Sequence, residues 1–150
     1  MKRTALIAVL LLGFAAVPAH AATSLQPGEW QTTETGTENG KPAKPEVEKS
    51  CMTADEARDA TNVVKQMKEQ MQGQGGQCEK LDVQQNGNTV IFVMKCGMGQ
   101  QFLIDMAGTF TFVSATRYTG TLKSTMKMGE TAMSSDKKIE AVRIGECKNR

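Results

Sequence analysis

Cysteine and methionine are the side chains through which this sequence could do chemistry. The stretch KSCMTADEARDA, residues 49–60, sets Cys51 two residues ahead of a helix start at Thr53. A thiolate near a helix N-terminus is stabilised by the helix dipole and gains reactivity. In an oxidising compartment the same cysteine is instead a staple. Further on, Met126-Lys127-Met128 puts two thioethers on one strand face, with Met133 just beyond a turn at Gly129-Glu130. Thioethers suit Cu(I); methionine is equally a flexible filler of cores.

The only histidine is His20. Downstream of it there is no material for Ser-His-Asp or Cys-His catalysis, a histidine zinc site or a histidine-ligated haem. The carboxylates are spread along the chain where solvated faces are expected. The chain therefore reads as a non-enzyme with no implied cofactor. Thiol redox chemistry at Cys51 is an alternative. It lacks a Cys-x-x-Cys partner, and an even set of four cysteines favours disulfides.

The N-terminus says where those disulfides would form. Lys2 and Arg3 precede an apolar run over 4–17, and Ala19-His20-Ala21 offers small residues to a signal peptidase. Residues 1–21 are expected to be a signal peptide cleaved before Ala22, and 22–150 a single domain, periplasmic or secreted. The apolar run is short of the ~20 residues a span needs, so no stable membrane span is expected after cleavage. Without Lys2 and Arg3 the basic and acidic side chains balance at 16 each. A neutral chain with no basic cluster argues against nucleic acid as a partner. The mature chain is also poor in Leu, Ile, Val and Phe, so its core is thin and cross-links would help it.

The elements that must position these side chains are mostly strands. LQPGEWQTTETGT, 25–37, alternates after a Pro-Gly turn and predicts a first strand with Trp30 turned inward. ENGKPAKP, 38–45, is a turn and loop, and EVEKSC, 46–51, a short edge strand. Thr53 and Glu56 form a capping box. Ala57, Ala60, Val64, Met67 and Met71 then recur on one face of a helix expected over 53–72 and stopped by Gly73. From 78 the period is two. Residues 78–96 predict a hairpin about Asn86-Gly87, and 101–113, 117–128 and 132–145 predict three long strands. Parity buries Phe92, Met94, Phe102, Ile104, Met106, Phe110, Tyr118, Leu122 and Met126, and exposes Arg117, Lys123 and Lys127. Strands of a dozen residues run ~40 Å and usually bend, with Gly108 and Gly120 the expected places. The fold class is α+β: an antiparallel β meander, twisted or half-barrel, with one amphipathic helix packed on it.

Four cysteines allow three pairings. An unbroken 20-residue helix spans ~30 Å, and residues 73–77 reach back at most ~18 Å, which disfavours Cys51–Cys78. Of the two patterns left, Cys78 and Cys96 flank one hairpin, leaving Cys51 for Cys147. An Asn86-Gly87 turn sets Leu81 opposite Phe92 and leaves Cys78 one residue out of step with Cys96. A bulge or a three-residue loop would restore the match. The expected disulfides are therefore Cys51–Cys147 and Cys78–Cys96, contributing on the order of 4.7 and 3 kcal/mol by the chain-entropy model.

Taken together, the N-terminal signal, PGEW at 27–30, CMTADEA at 51–57, Cys78, Cys96, the GTF…YTGTLKSTMKM region and RIGEC at 143–147 resemble domain of unknown function family 3617. The resemblance covers nearly all of the mature chain. It departs at Gln31, where an acidic residue is expected after the tryptophan. It implies a small exported bacterial protein with a mostly β fold, and no activity or site residues. The functional expectation is a non-catalytic binding or accessory module. Its inner sheet face is either packed core or the lining of a cavity between helix and sheet, of roughly 300 Å³ or more, for a small apolar ligand. The alternative site is soft-metal binding through Met126, Met128 and Met133.

Overall fold

A computed structural model of the chain describes residues 24–99 and 102–148. Residues 1–21, expected to be a signal peptide, lie outside them. The eight strands are β1 (Gly28–Glu38), β2 (Lys41–Pro42), β3 (Glu46–Met52), β4 (Gln77–Asn86), β5 (Thr89–Met98), β6 (Phe102–Ser114), β7 (Arg117–Met128) and β8 (Thr131–Gly145). They form one antiparallel sheet. From β4 to β8 it is an uninterrupted meander. β1 then joins β8, and β2 and β3 lie along the far side of β1, so the sheet is open between β3 and β4. The helical segment, α1 (Ala54–Ala57) and α2 (Asn62–Gly73), carries the chain from one open edge to the other, and α2 lies against β4 and β5. The fold class read from the alternation is the one observed.

The inner face is built by rings lying over gaps. Phe92 pairs with Gly108, and Phe110 with Gly120. A Cβ on either glycine would come within 2.6 Å of its partner's ring. Phe92 and Phe110 stack at 5.8 Å, Phe110 meets Tyr118 edge-on at 5.9 Å, and Tyr118 lies 5.6 Å from Trp30. The last step crosses β8 at Ala141, whose small side chain leaves the room. Gly108 and Gly120 thus do more than let long strands bend: each accepts an aromatic face from the neighbouring strand. Trp30 is inward and buried, and its indole N–H donates to the Gln26 carbonyl at 3.1 Å.

Two local expectations are corrected. The helix is not continuous over 53–72. The Thr53–Glu56 capping box is present and starts α1, but Asp59 ends it. Its carboxylate accepts the Thr61 backbone N–H and hydroxyl, both at 2.8 Å, and the Lys65 ammonium at 2.8 Å. Taking a backbone donor into a side-chain turn is how aspartate competes with helix. Those same bonds, Lys65 foremost, lower the Asp59 pKa to about 2. The apolar face still runs through the break, with Ala57, Ala60 and Val64 all buried.

The hairpin turn is also one residue later than expected. Asn86 pairs with Thr89, so the loop is Gly87-Asn88, and Leu81 faces Met94 rather than Phe92. Contacts to the third strand decide this. The Asn88 carbonyl accepts the Phe112 N–H at 2.8 Å, and the Asn88 amide donates to the Phe112 carbonyl at 3.1 Å. A shift in register between Cys78 and Lys80 then brings Cys78 opposite Cys96.

Candidate binding face

Cys51 is bonded to Cys147 and Cys78 to Cys96, and no free cysteine stands among the described residues. Cys51 is the penultimate residue of β3, just ahead of α1, and Cys147 follows β8. Between them lies the start of β1, where Glu29 pairs with Cys51 on one side and with Gly145 on the other. The thiolate argument thus finds no thiol to act on, and α1 is a single turn with little dipole to offer. The Cys51–Cys78 pattern was set aside on the length of an unbroken helix. That ground fails, because the helix is broken at Asp59.

Strand parity sends the expected residues to the inner face, but they are not equally covered. Phe92, Met94, Ile104, Met106, Phe110 and Tyr118 are buried. Phe102, Leu122 and Met126 are only half-buried, a correction to the full burial expected of them. The cause is the path of the helical segment. α2 packs on the β4–β5 side, and its Val64 is sealed into the core. Among the described residues, no layer lies over the end of β7 and β8 nearest the Gly129 turn or the facing end of β1. Arg117, Lys123 and Lys127 point outward and are exposed, as parity requires.

At this open corner Met126 and Met133 are direct cross-strand partners, and Ser124 faces Ser135 with their hydroxyls 3.0 Å apart. Leu122 faces Lys137. Lys137 donates to Glu34 at 2.7 Å and to Glu46 at 3.2 Å, joining β8 to β1 and β3. The bond to Glu34 first, then that to Glu46, raises the Lys137 pKa against the opposing effect of its partial burial. A pocket of about 260 Å³ is lined here by Glu38, Asn39, Ser124, Met126, Met133, Ser134, Ser135 and Lys137. Met128 stands next along β7, opposite Thr131, and is exposed. All three methionines singled out by spacing therefore share one corner.

The face is a packed core where the helices cover it and a lined hollow where they do not. The contact between helices and sheet is filled by Trp30, Ala60, Val64, Phe92 and Met94 within one buried cluster. The hollow is displaced to the uncovered corner. A larger, shallow depression of about 450 Å³ lies on the outer face, lined by threonines of β1, β6 and β7 with Lys138 and Glu140. Glu140 is held by Arg117 at 2.6 Å. That depression offers hydroxyls on an open surface and no converging buried group, so it is the weaker candidate despite its size.

A family model described as a protein of unknown function, DUF3617, matches residues 25–147. The chain belongs to this family. The DUF3617 match takes in every strand and helix and both disulfides, so the open corner is part of the family domain and not an appendage to it. Neither a search of curated proteins nor one of solved structures gave a match. Sequence reading missed Lys137 and its two glutamates. The signal was there: in β8 the inner parity runs Met133, Ser135, Lys137, Ile139, Ala141, and a lysine on that row needs an acidic partner.

Proposed function

We propose that this DUF3617 protein is an exported, non-catalytic module that binds a small ligand at the open corner of its inner sheet face. The observation that carries the reading is the pocket itself: Met126 and Met133 line it with Lys137, which faces Leu122 and bonds Glu34 and Glu46, on a face that is packed core where the helices cover it. Its volume of about 260 Å³ is just below the ~300–1,000 Å³ of small-molecule sites, so the ligand is small, with an apolar or soft surface. Export is supported by the signal-like N-terminus and by two disulfides in so small a domain. The absence of catalysis is supported by a mature chain without histidine whose cysteines are all engaged.

Native mass spectrometry of protein prepared gently from the periplasm tests the reading. The expected result is a chain beginning at Ala22, carrying a non-covalent adduct that Leu122→Asp abolishes and Val47→Ser, on the outer edge, does not. An intact N-terminus fixed in the inner membrane refutes export. An adduct unaffected by Leu122→Asp refutes the corner as its site.

A further inference from the structure

We infer that the open corner is a Cu(I) site built from the thioethers of Met126, Met128 and Met133. The assignment rests on reading that corner as a binding site and names its ligand.

Nine methionines follow residue 21, and the fold sorts them. Met94 and Met106 are sealed in the core, and Met52, Met67 and Met71 pack half-buried against it. Those five fill gaps, as a flexible thioether does. Met98 stands across β6 from the corner, opposite Phe102. The remaining three converge. Met126 and Met133 are register partners and line the same pocket. Directly opposed residues on a sheet face hold their Cβ atoms ~4.5–5.5 Å apart, and diagonal ones ~7–8 Å. Met128 is two residues along β7 from Met126 on the same face, and so is the diagonal neighbour of Met133. Three long, unbranched side chains therefore rise from one small area of β7 and β8, and at least two turn into one pocket.

The donor set limits what can bind. Both cysteine pairs are oxidised, the mature chain has no histidine, and among the described residues no three His, Cys, Asp or Glu side chains cluster to hold a metal. Hard divalent cations are usually held by several carboxylates, and Glu38 is the single carboxylate among the residues lining this pocket. Thioethers select a soft monovalent d¹⁰ ion, and Cu(I) is the biological one. The charge nearby agrees. Lys137 lies between two glutamates, which leaves one negative charge in surplus, while Glu38 on the pocket wall is matched by Lys41 opposite it. Half-burial of Met126 on a sealed core shields one side of the ion from water.

The experiment is anaerobic titration of the mature, oxidised protein with Cu(I) against a chromogenic chelator, repeated with Ag(I). One equivalent should bind at micromolar affinity or tighter. In protein carrying ¹³C-methyl methionine, the signals of Met126, Met128 and Met133 should move while those of Met94 and Met106 stay. The triple variant M126L/M128L/M133L conserves volume and should fold; its affinity should fall by about tenfold or more. Met52→Leu should change nothing. Binding no tighter than micromolar, or equal binding by the triple variant, overturns the copper assignment. An organic adduct lost with Leu122→Asp, in protein that takes up no Cu(I), overturns it as well while leaving the corner a binding site.

Discussion

At the covered end of the inner sheet face, Trp30, Phe92 and Phe112 are sealed. At the open corner Phe102, Leu122 and Met126 sit half in water, in the same sheet and at the same inward parity. Alternation made both regions. What separates them is the second layer: helix and aromatic rings over one and, among the described residues, nothing over the other. Strand pattern decides which way a side chain faces, and the path of a connecting segment decides whether that face becomes core or site.

Truncations measure the contrast, and the largest effect belongs to the covered end. Phe92→Ala should cost ~3–5 kcal/mol in urea unfolding, as buried aromatic truncations do. Met126→Ala at the corner should cost under half of that, because much of its surface is wet already. Equal losses would mean that the corner is covered in solution. Gly120→Val should come next, at ~1–3 kcal/mol, because its branches would enter the Phe110 ring. Gly145→Ala, which meets nothing within 4 Å, should stay within ~0.5 kcal/mol, and a matching loss there would break the ring-over-glycine account. Lys123→Ala should also stay within ~0.5 kcal/mol, since its ion pair with Asp136 is exposed.

The smallest effect is a matter of pH. The folded Asp59 pKa, about 2, lies below its ordinary 3.8. Asp59 therefore stabilises the fold above pH ~4 and loses that contribution as pH falls toward 2. The α1–α2 junction should loosen over that window in amide exchange while the strands hold. Lys65→Ala, removing the largest cause of the shift, should return the Asp59 titration toward 3.8. Unchanged titration would show that Thr61 alone sets it.

Much of this was legible. Trp30, the meander, its parity and the Thr53–Glu56 cap all follow from local pattern. The helix break was harder to see, because the apolar face continues through it and Asp59 looks like any solvated acid until Thr61 and Lys65 turn toward it. The hairpin loop was ambiguous because Asn86-Gly87 and Gly87-Asn88 are both good turns, and Phe112, 24 residues on, selects between them. The corner's partial exposure was not legible at all. A strand's sequence says nothing of where its covering layer stops. The Met126–Met133 pairing became visible only once β8 was in register with β7.

The seat of β1 in the sheet also orders events in time. Its inner partner is β8, so Glu29 meets Gly145, 116 positions later. Every other neighbouring pair of strands is joined by a shorter stretch of chain, and contacts that close long loops form late. A chain emerging from its N-terminus can assemble β1 with β3, and later the meander, as two separate hairpin stacks. The two cannot merge until the last strand is through. The Cys51–Cys147 bond crosses that seam, so its oxidation is a chemical clock for the final step: trapped intermediates should carry Cys78–Cys96 well before they carry the other.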